Sequence, residues 1–136
     1  MKIMAIDYGD VRTGVAVCDK LEMLASPLCV IKQTDEQSLA DALCEKAREE
    51  GTEMFVVGLP KNMDGSLGER AQKCERFSKI LAEKSGMDVK MWDERLTTVM
   101  SYKSLNSANV YGKKSKSLVD AVAAATILQS FIDSRK

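Results

Sequence analysis

The sequence predicts an α/β fold: a five-stranded mixed sheet flanked by helices, in the order βββαβαβα with an extra helix before the last. Three observations carry this. Three short apolar runs fall within the first 32 residues, divided by spacers too short for helices, which makes them an antiparallel meander. Two stretches of helical periodicity then each lead into another short apolar run, the pattern of crossovers feeding parallel strands. The chain closes on a helical stretch with alanine at four of the five positions 121–125, small enough to approach a sheet closely.

The elements follow in order. Lys2 to Ile6 is an apolar run ending at Asp7, and Gly14 to Val17 is a second, ending near Asp19. A third runs from Leu28 to Lys32, after Pro27. Thr34 or Asp35 can cap a helix whose apolar positions Leu39, Leu43 and Ala47 recur every four residues, and Gly51 stops it. Met54 to Val57 reads as a buried strand closed by Gly58-Leu59-Pro60. After the polar loop Lys61 to Ser66, a helix to about Ser85 carries Leu67, Ala71, Cys74, Phe77 and Leu81 on one face, and Gly86 ends it. Val89 to Trp92 is the fifth strand. A helix beginning at Thr97 or Thr98, with Val99 and Leu105, precedes a polar loop from Asn106 to Ser117, and the last helix runs from Leu118 to about Arg135. The first strand should lie centrally, because both the meander and the crossover strands need it as a partner.

At 136 residues the chain suits one domain spanning 1–136. Twenty basic and twenty acidic side chains cancel, so any phosphate-binding surface must arise from local clustering. Histidine is absent, which excludes Ser-His and Cys-His catalysis. The four cysteines, at 18, 29, 44 and 74, form no C-x-x-C pair, so zinc sites of the usual spacing are excluded and reduced, buried thiols are expected. An aspartate follows the start too soon for a signal-peptide apolar region, and Ala121 to Leu128 is too short to span a bilayer. A cytoplasmic protein without membrane contact is expected.

Three acids stand at element ends: Asp7 after the first strand, Glu94 after the fifth, and Asp120 in the first turn of the last helix. In an α/β sheet such positions converge on one rim. Taken singly, each has an ordinary reading: Asp7 before Gly9 as a turn residue, Glu94 as a surface partner of Arg95 or a lysine, Asp120 as a charge favourable to a helix dipole. Together they form an all-oxygen donor set of the kind that suits Mg²⁺ or Mn²⁺, one or two ions. Arg12, Lys61, Arg95 and the cluster Lys113, Lys114 and Lys116 are candidate phosphate contacts, the cluster reading equally as a solvated loop. Asn62 and Asp64 either touch substrate or shape a turn. Tyr102 and Tyr111 are candidates for stacking on bases, whereas Trp92 reads as packed. The segment Asp7-Tyr8-Gly9 to Thr13-Gly14 also fits a phosphate cradle of actin-like ATPases, but those close two lobes over a nucleotide and this chain supplies one.

Four blocks, AIDYGDVRTGVAVCD at 5–19, VVGLPKNMDG at 56–65, DERLTT at 93–98 and LVDAVAAATILQSFI at 118–132, resemble the YqgF/RuvX family nearly end to end. The resemblance implies an RNase H-like fold and a metal-dependent nuclease centre with Asp7, Glu94 and Asp120 as catalytic and metal-holding residues, and Asp93 as a less certain neighbour. It implies trimming of the 5′ end of precursor 16S ribosomal RNA, with ribosomal particles among the partners; resolution of four-way DNA junctions, or RNA binding without catalysis, are the alternatives. The oligomeric expectation is a monomer or weak homodimer. Two departures stand out: RuvC-type resolvases carry another acid one turn after the last-helix aspartate, where this chain has Ala123 and Ala124, and Cys18 replaces a frequent serine.

Overall fold

The computed structural model describes residues 1–96 and 113–135, with side chains described for 1–95 and 119–135. Strands β1 (Ile3–Asp7), β2 (Arg12–Cys18), β3 (Ala25–Lys32), β4 (Met54–Leu59) and β5 (Asp88–Asp93) form one sheet in the order β3-β2-β1-β4-β5. β1 is central, as both halves of the sheet require. It pairs antiparallel with β2 and parallel with β4, while β2–β3 is antiparallel and β4–β5 parallel. The central strands β1 and β4 are buried almost throughout, which their unbroken apolar runs anticipate. Pro27 is tolerated in β3 because that strand is an edge.

Helix α1 (Glu36–Glu50) is capped by Asp35, whose carboxylate accepts a hydrogen bond from the Ser38 amide at 2.9 Å, and ends at Gly51. Helix α2 (Glu69–Ser85) ends at Gly86. It starts at Glu69, so Leu67 lies before the helix and is partly exposed, not on its apolar face. Helix α3 (Lys113–Ser134) begins five residues before Leu118. The stretch 113–117 is helical because it contains neither Gly nor Pro and lysine is a good helix former; its polarity alone suggested a loop. The helix expected from Thr97 or Thr98, with Val99 and Leu105, lies outside the described residues, as do Tyr102 and Tyr111.

Strand alternation sends β1 side chains to two different layers. Met4, Ile6 and Tyr8 pack with Leu39, Leu43, Phe77 and Leu81 of α1 and α2. Ile3 and Ala5 pack with Ala124, Leu128 and Ile132 of α3. The next residue on the α3 side is Asp7. All four cysteines are free thiols, three of them buried. Among the described residues no helix is long and apolar enough to cross a membrane.

Candidate active site

Asp7 ends the central strand with a glycine beside it on either hand. On β2 the residue paired with it is Gly14. On β4, Ile6 pairs with Val57, and Gly58 follows. A Cβ on Gly14 would fall 1.8 Å from the Asp120 carbonyl oxygen, so α3 crosses β2 where a side chain is missing. A Cβ on Gly58 would fall 3.2 Å from Glu94 Cγ and Cδ and 2.7 Å from Ile127 Cδ1. Gly14 thus lets the α3 backbone at Asp120 approach β2, and Gly58 leaves room for the Glu94 side chain. Glu94 arrives through a single 3-10 turn, Glu94–Leu96, that follows β5 directly.

The electrostatics follow from this crowding. Burial, then the charge of Glu94, then that of Asp120, push the Asp7 carboxyl up to about 7, with Arg70 opposing them. Burial also raises the Glu94 carboxyl; Arg70 again opposes, and Asp93 adds to the rise. Asp120 is paired with Arg12, Nε to Oδ2 at 3.5 Å. It stands roughly two turns into α3, not in the first turn as the sequence suggested, so the ordinary helix-dipole explanation lapses.

Asp93 and Glu94 part company. The alternation of β5 puts Trp92 on the α3 side, where its ring meets Phe131 edge-on at 5.4 Å and its Nε1–H donates to Ser130 Oγ at 3.1 Å. Trp92 is packed, as expected. Asp93 is gripped by Arg95, which donates from its backbone amide at 2.9 Å and from Nη2 at 2.7 Å; these bonds hold its carboxyl below the usual range. Arg95 also donates to the Met63 carbonyl at 3.3 Å. Lys61 adds positive charge near Asp93. Asn62 and Asp64 build the turn beyond β4: Asn62 Nδ2 donates to Ser66 Oγ at 2.9 Å, and Asp64 accepts from the Ser66 amide at 2.9 Å. Lys113, Lys114 and Lys116 lie on the opening of α3 with side chains outside the described residues.

One contributor escaped the sequence reading. Arg70, at the start of α2, donates through Nη2 to the Tyr8 carbonyl and through Nη1 to Asp10 at 3.1 Å, and its guanidinium lies 5.8 Å from the Tyr8 ring centroid. Its charge reaches both Asp7 and Glu94. No local signal marks it, because its partners lie about sixty residues away in the chain.

Residues 1–134 match the family model described as RuvX, Holliday junction resolvase. The chain belongs to the RuvX family. Curated relatives from Bacillus thuringiensis (strain Al Hakam) and Bacillus cereus (strain AH820), each named "Putative pre-16S rRNA nuclease", are 40% identical over 137 residues, covering 99% of this chain and all of theirs. Among solved structures, Thermus thermophilus RuvC in complex with a Holliday junction substrate superposes with a TM-score of 0.62 at 17% identity, covering 99% of this chain and 95% of that one. The fowlpox virus resolvase bound to Holliday junction DNA gives 0.59 at 11% identity, covering 99% of both chains. These likenesses bear out the RNase H-like, RuvC-type fold expected of a RuvX chain. Nucleases of this kind generally use divalent metal ions.

The proposed donor set, Asp7, Glu94 and Asp120, fits such an ion in kind: three carboxylates, with a half-buried Asp7 whose charge Arg70 only partly offsets. As they stand, no three Asp, Glu, His or Cys side chains among the described residues are close enough to hold a metal together. Asp120 is instead held by Arg12.

Proposed function

We propose that this chain is a metal-dependent nuclease that hydrolyses phosphodiester bonds at the 5′ end of pre-16S ribosomal RNA, with Asp7, Glu94 and Asp120 as its catalytic acids. The observation that carries the reading is the placement of Asp7 between Gly14, where the α3 backbone at Asp120 approaches, and Gly58, which leaves room for the Glu94 side chain. Family membership and the names of its relatives support the reaction class and the RNA substrate. Mg²⁺ or Mn²⁺ held by the three acids would activate a water and stabilise the leaving oxygen.

The chain's own groups do the rest. Asp7, held near neutral titration by burial, gains most from a nearby cation and is therefore the central ligand. Glu94 supplies the second carboxylate from the β5 side and Asp120 the third from α3. Asp93 stays bound to Arg95 and outside the ligand set. Arg12, Lys61 and Arg95, with Lys113, Lys114 and Lys116, neutralise substrate phosphates, and Asn62 shapes the turn beside them. The work is cytoplasmic, on ribosomal precursor particles, by a monomer or weak dimer.

The test compares precursor rRNA, single-stranded RNA and a four-way DNA junction, each with Mg²⁺ or Mn²⁺. Precursor rRNA should be cut at its 5′ side, and Asp7→Asn should abolish cutting while circular dichroism stays unchanged. Unaltered turnover in the variant defeats the assignment of Asp7; cutting confined to the junction defeats the RNA reading.

A further inference from the structure

Arg12 opens β2 on the α3 side of the sheet, the side that carries the three acids. Its guanidinium lies 3.5 Å from Asp120, yet its side chain is half exposed, with 50% of its surface open against 28% for Asp120. A guanidinium is always charged and its fork fits a carboxylate or a phosphate equally well. An exposed pair of this kind is weakly held. Asp120 is also one of the two acids whose charge bears on Asp7. The cation now neutralising Asp120 is therefore a side chain, standing where the proposed centre needs that carboxylate released.

We propose that Arg12 alternates between two anions: it neutralises Asp120 while no divalent ion is bound, and passes to a substrate phosphate once such an ion takes Asp120. The inference rests on the nuclease reading above. A divalent ion at Asp120 repels the guanidinium and takes its salt-bridge partner, leaving Arg12 open to a substrate phosphate. Metal and nucleic acid then promote each other's binding through one side chain, and by linkage the coupling is reciprocal. The same arginine opposes the ion before capture and assists the substrate afterwards.

The two roles predict shifts of opposite sign in one variant. Mn²⁺ binding to the metal-free protein, followed by calorimetry, should be about two- to fivefold tighter in Arg12→Gln, the range set by an exposed pair. Binding of a labelled single-stranded RNA, measured by anisotropy with Ca²⁺ and the RNA checked for integrity, should weaken in the variant. The slope of log affinity against log salt should fall by about one. Without any divalent ion the difference between variant and wild type should be smaller, because Asp120 then competes with RNA for Arg12. Arg12→Lys, which keeps the charge, should hold Mn²⁺ affinity near the wild-type value.

Asp120→Asn separates the failures. If it leaves Mn²⁺ binding unchanged, Asp120 is no ligand, and the proposed centre falls together with this inference. If Mn²⁺ binding depends on Asp120 but Arg12→Gln binds it no more tightly, the alternation alone is overturned. RNA affinity lost equally with and without Ca²⁺ also overturns it, because Arg12 would then be a permanent phosphate contact.

Discussion

The two faces of the sheet differ in the side chains at their helix contacts. Against α1 and α2 the sheet meets Leu39, Leu43, Phe77 and Leu81, with Tyr8 stacked on Phe77 at a centroid distance of 4.5 Å. On the α3 side large residues (Ile127, Leu128, Phe131, Ile132) pack alongside a small-residue contact, where Ala5, Gly14 and Ala16 of β1 and β2 share the layer with Ala124 and Ala125 of the helix. The first face fills volume. The second gives up volume at that contact so that a helix backbone can touch a strand. Only that second arrangement can bring an α3 side chain beside a β1 side chain, and it is where all three acids lie.

Two substitutions test the contrast, and they should fail for opposite reasons. Leu43→Ala empties a fully buried position and should cost about 2–5 kcal/mol. Cleavage per folded molecule should survive, because Leu43 is on the face away from the acids. Gly14→Ala adds one carbon where the Asp120 carbonyl stands 1.8 Å away, and backbone cannot yield as a side-chain tip can. It should cost about 1–3 kcal/mol and carry Asp120 away from Asp7, so that cleavage falls further than stability does. Urea titration beside turnover measures both. A Gly14→Ala protein with wild-type stability and rate would break the account of the α3 face.

A second difference is that the α3 face buries charge. The Asp7 carboxyl is pushed up to about 7 from an ordinary 3.8, so between those values the native state binds more protons than the unfolded chain. Stability of the metal-free protein should therefore fall as pH rises from about 4 to about 7 and then level off. Glu94, also raised, acts in the same direction. Asp7→Asn removes the larger contribution and should stabilise the metal-free protein at pH 8 by up to about 4 kcal/mol, with a smaller gain at pH 5. Urea titrations at the two pH values check the sign; a gain larger at pH 5 would contradict it.

Much of this architecture was legible in the chain, for physical reasons that also mark where reading failed. Strand order followed from spacer lengths, and the α3 face from its alanines, because both are local in sequence. Asp7 and Glu94 could be named because they sit at element ends, whereas Asp120, named on the same ground, lies about two turns into α3. The approach of α3 and of Glu94 to the end of β1 depends on Gly14 and Gly58, which in sequence look like ordinary strand and turn glycines; their role appears only when β2 meets α3 and β4 meets Glu94. Arg70 stayed hidden for the same reason, its carbonyl and carboxylate partners being contributed by a distant turn. Polarity misled at 113–117, where lysines continue a helix toward Asp120.

The finest distinction at this rim is between two adjacent acids, and one of them, Asp93, carries the smallest expected effect. Trp92 and Asp93 project to opposite sides of β5, and the 3-10 turn then brings Glu94 back to Gly58 while Asp93 is taken by Arg95. Glu94→Gln keeps the shape but removes the charge that bears on Asp7, so cleavage should drop at least about a hundredfold, the scale of losing a group that acts in the reaction. Asp93→Ala frees Arg95, which also donates to the Met63 carbonyl, and should loosen only the turn beyond β4. Its melting temperature should stay within about 2 °C of wild type, and its turnover within about threefold. The pair is informative because charge alone predicts equal effects, both acids being one residue apart on the same rim. If Asp93→Ala proved the more damaging, the alternation of β5 would be delivering the wrong side chain, and the third acid would have to be sought on the Arg95 side of the strand.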